Sequence, residues 1–108
     1  LLDRYFGPSV SVLPPDDLEG LRIPHFYRAF YVYKYATGIA AAVTLARKVL
    51  AEGEPARRKY FAFLKSGGSR FPLESLRMAG VDMAQTGPVE SALELFGDLL
   101  AEMEAFFA

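Results

Sequence analysis

Histidine and tyrosine crowd one short stretch of this chain. Residues 23 to 38 read Ile-Pro-His-Phe-Tyr-Arg-Ala-Phe-Tyr-Val-Tyr-Lys-Tyr-Ala-Thr-Gly and hold the one histidine, His25, with four of the six tyrosines. An imidazole exchanges a proton near neutral pH, and a phenol O–H can donate to an oxygen that gains negative charge during a reaction. Their clustering ahead of an apolar run is the pattern of a lined site. Alternatively, a lone histidine beside aromatics caps or packs, and tyrosines at helical spacing belong to a core.

The elements that must position these groups read as helices. Gly7, Pro8, Pro14, Pro15, Gly20 and Pro24, with Asp16 and Asp17 as capping or solubilising groups, predict an irregular connection over residues 7 to 24. A long central helix is expected from about Phe26 to Glu52, stopped by Gly53. At about 100° per residue, such a helix places Phe26, Phe30, Tyr33 and Thr37 on one face and turns Tyr27, Tyr31 and Tyr35 along another. Tyr31 and Tyr33 then cannot both enter one cavity, and His25 and Tyr27 fall at or just before the first turn. Further helices are expected from Pro55 to Ser66, capped by Gly67 and Gly68, and from Pro72 to Met78, closed by Gly80. A last one starts near Thr86-Gly87-Pro88 with an apolar stripe through Val89, Leu93, Phe96, Leu100 and Met103. No segment alternates with period two. The expected fold is all-α, a bundle of about four helices in a single domain over residues 1 to 108.

From Tyr35 to Ala46 no residue carries a charge, so the central helix needs more cover than three partners supply. The chain is therefore expected to pack against further polypeptide, either the remainder of a larger protein or a second copy. That run of 12 residues is too short for a membrane span. A net charge of −1 and a pI of 5.8 argue against nucleic acid and anionic membranes as partners. The absence of cysteine excludes disulfides and thiolate metal sites and points to the cytoplasm. No secretory signal follows Leu1-Leu2-Asp3, and the start without methionine suggests a fragment. Gly67-Gly68-Ser69 lacks the lysine of a phosphate loop and reads as a helix cap. The acidic strip Glu90, Glu94, Asp98, Glu102 and Glu104 lacks a histidine and reads as a solvated face, and Arg57, Arg58 and Lys59 read as surface.

Arg22 to Tyr27 and Phe30 to Gly38 resemble, almost residue for residue, a segment of the oligoendopeptidase F branch of the thimet-oligopeptidase-like zinc metallopeptidases. The resemblance extends to Tyr5-Phe6-Gly7, to Phe63 through Ser69, to Pro72 through Leu76 and to Gly80 through Met83, and so spans essentially the whole chain. It implies the C-terminal part of a larger, mostly helical peptidase that hydrolyses bonds in short peptides. In that family a His-Glu-x-x-His helix and a later glutamate hold one zinc ion, and the motif's glutamate activates the zinc-bound water. This chain has neither the motif nor a second histidine, so no metal ligand is expected in it and the fragment alone should be inactive.

What the resemblance leaves to this chain is the opposite wall of the cleft, where a histidine and tyrosines bind substrate and stabilise the tetrahedral intermediate. His25 and Tyr33 are accordingly expected as catalytic donors, with Tyr27 and Tyr31 as substrate contacts. The competing expectation is a non-catalytic helical interaction module that covers its apolar helix by self-association.

Overall fold

The computed structural model describes residues 2–107; Leu1, and the side chain of Asp17 with its expected capping role, lie outside the described residues. Every regular element among the described residues is helical. Helix α1 is Leu2–Phe6, two 3₁₀ helices follow at Pro14–Arg22 and Pro24–Tyr27, and then come α2 (Tyr33–Glu52), α3 (Glu54–Lys65), α4 (Pro72–Met78) and α5 (Gly87–Phe107). The all-α expectation holds, and α2 to α5 are the four expected helices. Contacts divide the chain into two units between Lys34 and Tyr35.

The first unit departs from expectation twice. The stretch read as an irregular connection contains a 3₁₀ helix, because Pro14 and Pro15 preset its backbone and the Asp16 carboxylate accepts the Leu13 N–H at 2.7 Å. Pro24 then holds Ile23 extended, at φ −95° and ψ 105°, and a second 3₁₀ turn begins. The central helix starts at Tyr33 and not near Phe26. Phe26 donates its N–H to Ile23 three residues back, Arg28 is extended, and Phe30 sits in the left-handed region at φ 58°. No α-helix passes through such a residue. Aromatic and β-branched side chains dominate residues 26 to 33, and their weak helix propensity does not resist the break. No described side chain between residues 2 and 34 is buried.

The second unit holds the buried core. Gly53, at φ 68°, ends α2 by donating to the Val49 carbonyl and starts α3 by accepting the Arg57 N–H, both at 3.0 Å. Helix α4 ends in a Schellman motif. The Gly80 N–H bonds the Arg77 carbonyl and the Val81 N–H bonds the Leu76 carbonyl, both at 2.9 Å, with Gly80 at φ 87°. That turn drives Val81, 1% exposed, into a cluster with Ala41, Leu45 and Ala79, ringed by Tyr60, Phe63, Leu76 and Met83. The small side chains let the helices approach closely.

Two expectations about surfaces are resolved here. A groove of about 630 Å³ stays open along α2, lined by Gly38, Ala42, Leu45, Val49, Tyr60 and Phe63 among others, so the apolar central helix is indeed incompletely covered. The acidic strip of α5 is not solely a solvated face. Arg47 on α2 donates to Ser91 at 3.1 Å, Glu94 at 3.0 Å and Asp98 at 3.4 Å. Both carboxylates remain largely exposed, so each pair contributes little to stability.

Two carboxylates link stability to acid. The Ala84 N–H, and after it the Arg77 guanidinium, hold the Asp82 carboxyl below its usual range, and Arg57 and Arg58 do the same for Glu54. Because the folded-state values are depressed, this contribution is present above the unfolded carboxylate range and is lost as pH falls through the folded values. The thermal midpoint is expected to drop as pH is lowered below about 4. An Asp82→Asn, Glu54→Gln double variant should show a shallower acid dependence; an unchanged slope would remove these two groups from the account.

Candidate functional site

His25 is the second residue of the Pro24–Tyr27 turn, and the reversal at Phe30 folds the following residues back towards it. The His25 and Tyr31 rings lie 5.7 Å apart at 45°. Together with Pro24 and Arg28 they line a recess of about 220 Å³. The Lys34 Nζ sits 3.7 Å from the centre of the Tyr31 ring, and the Arg28 guanidinium carbon 5.8 Å from it. Cations over a phenol ring at such distances stabilise it by about 0.5–1 kcal/mol at an exposed site, which is enough to bias its rotamer.

The recess thus joins His25 to Tyr31, the tyrosine that an unbroken helix would have turned away from Tyr33. The helical-face argument fails because the helix does not exist before Tyr33. Tyr27 ends the 3₁₀ turn, 68% exposed, and Tyr33 opens α2, 61% exposed; neither is among the residues lining the recess. Sequence reasoning missed Arg28 and Lys34. Their signal was present in the spacing of residues 28, 31 and 34, and in a window from Gly20 to Ala51 without a single Asp or Glu. Arg22, Arg28, Lys34, Arg47 and Lys48 all lie in that window.

Imidazole, guanidinium and phenol are all able to donate hydrogen bonds, and no hydroxyl nucleophile of Ser or Thr and no carboxylate base lines the recess. The arrangement can bind and stabilise a negatively charged oxygen. It does not by itself supply an attacking group. Among the described residues no three His, Cys, Asp or Glu side chains converge to hold a metal, and one histidine does not fit the zinc site that the resemblance implies.

Residues 1–95 match the sequence profile of a family described as Peptidase family M3. The chain is 45% identical over 107 residues to an oligoendopeptidase F homolog of Borreliella burgdorferi, covering 99% of this chain and 18% of that protein. It is 46% identical over 101 residues to oligopeptidase PepF of Bacillus subtilis, covering 94% of this chain and 15% of that protein. A crystal structure of a protein from Chlamydophila abortus, described as a peptidase, superposes with a TM-score of 0.77 at 39% identity, over 96% of this chain and 18% of that one. The chain therefore spans less than a fifth of the length of the relatives it matches.

Proposed function

This chain belongs to peptidase family M3, and from that premise we propose that it is the C-terminal helical part of the catalytic domain of a zinc-dependent oligoendopeptidase acting on short peptides in the cytoplasm. The observation that carries this reading is likeness to oligopeptidases along nearly the whole chain. The exposed first unit and the open groove along α2 support it, since both are surfaces that a longer polypeptide would cover. The zinc ion is assigned to residues outside this chain, and no step within the chain depends on it.

What the chain contributes, in this reading, is hydrogen-bond donation at the wall of the cleft. His25 stabilises the oxyanion of the tetrahedral intermediate, Tyr33 is the second donor, and Tyr27 and Tyr31 contact the peptide. Donors fixed before the reaction cost no reorganisation when charge develops, which is why so few of them matter so much. The tilted ring contact between Tyr31 and His25 favours Tyr31 as the group that fixes the imidazole's orientation.

The test compares this chain with the product of its complete reading frame, measuring bound zinc and hydrolysis of a quenched fluorescent peptide. Zinc and hydrolysis are expected in the longer protein, and neither in the 108-residue chain. Absence of both from the longer protein would favour a self-associating interaction module instead, its apolar groove covered by a second copy.

A further inference from the structure

We propose that Arg28 holds a carboxylate of the bound peptide in the recess it shares with His25 and Tyr31. The inference rests on the peptidase reading and deepens it by naming a feature of the substrate. Five other arginines are matched to acids, Arg22 with Glu19, Arg47 with Glu94, Arg57 and Arg58 with Glu54, and Arg77 with Asp82, while Arg70 meets the Met78 sulfur at 3.5 Å. Arg28 has no ion pair among the described residues, and its contact is the Tyr31 ring. A guanidinium resting on an aromatic ring keeps its N–H edge for a planar anion, and a carboxylate fits that edge with two parallel hydrogen bonds.

The surroundings select for negative charge as well. No carboxylate lines the recess, and Lys34 adds a second cation on the same ring. Within the first unit no acid follows Glu19, so the sequence from residue 20 to 34 that carries the recess holds cations and no carboxylate. Because Arg28 lines the same recess as His25, the carboxylate it takes must lie close to the bond being cut. Two sources carry that chemistry, namely the free C-terminus of a short peptide and an acidic side chain near the cleavage site.

The experiment uses the product of the complete reading frame and three quenched fluorescent peptides that differ only at their C-terminal end. One ends in a free carboxylate, one in an amide, and one in an amide with glutamate as its last residue. A carboxylate-bearing peptide is expected to be cleaved with kcat/KM roughly 10- to 100-fold above the plain amide, the loss of one charge-assisted pair. Whichever peptide shows the preference identifies the source. Arg28→Ala should abolish the preference and Arg28→Lys should keep part of it. Equal kcat/KM for all three peptides, or a preference that survives Arg28→Ala, overturns the proposal. If none is cleaved, the peptidase reading fails, and anisotropy of labelled versions of the same peptides decides the recess alone: equal affinities with and without a carboxylate overturn it.

Discussion

Replacing His25 by alanine in the complete protein is expected to lower peptide turnover on the order of a hundredfold while leaving bound zinc unchanged. An oxyanion donor acts mainly in the transition state, so kcat and kcat/KM should fall together with little change in KM. Tyr33→Phe should produce a loss of the same order if its phenol is the second donor, since that change deletes one O–H and keeps the ring. The recess makes Tyr31→Phe an informative third variant. If Tyr31 orients the imidazole through its ring, removing its hydroxyl should cost far less than removing His25. Normal turnover in both His25→Ala and Tyr33→Phe, with metal retained, would end the assignment of this wall to catalysis.

The second large effect is structural. Gly80→Val is expected to destabilise the folded chain by roughly 3 kcal/mol, because a β-branched residue is forced into a left-handed backbone. For a domain of this size that corresponds to a fall in Tm on the order of ten degrees or more. An added Cβ would also meet the Lys48 Cε at 3.0 Å, but that is the far end of a flexible side chain and can move. The φ of 87° is therefore the larger cause. Gly80→Asn separates the two, since asparagine tolerates the left-handed region yet adds the same Cβ. A smaller loss for Asn than for Ala in thermal unfolding would assign the cost to the backbone; equal losses would assign it to the Lys48 contact. The damage should spread to the core, because Val81 is seated by the turn that Gly80 closes.

What could be read from the chain beforehand follows from which forces are local. Gly53, Gly67 and Gly80 stop helices through their own backbone freedom, and Pro55 and Pro72 start them through their own fixed φ, so α3 and α4 appear close to where those residues predict. Helix α5 is legible for another local reason, the apolar stripe spaced at three and four residues. The start of α2 was not legible. Phe30 carries no mark that distinguishes it from Phe26 or Phe63, and the left-handed region it occupies runs against its own preference. Once that reversal was unseen, the partnership of His25 with Tyr31 was out of reach, since it depends on chain direction and not on helical period. The acid-free sequence around Arg28 needed no structure at all, only attention to where acids are missing.

Helix α5 has one more consequence, which concerns the life of the polypeptide in a cell. Leu93, Phe96, Leu99, Met103, Phe106 and Phe107 all stand exposed along it. Hydrophobic surface of that extent is what holdase chaperones and quality-control proteases recognise as unfinished folding. A chain that displays this helix uncovered is expected to self-associate most strongly near its pI of 5.8, where little net charge opposes contact. An α5 left uncovered is therefore expected to draw the chain into aggregates, and its concealment to keep the chain dispersed.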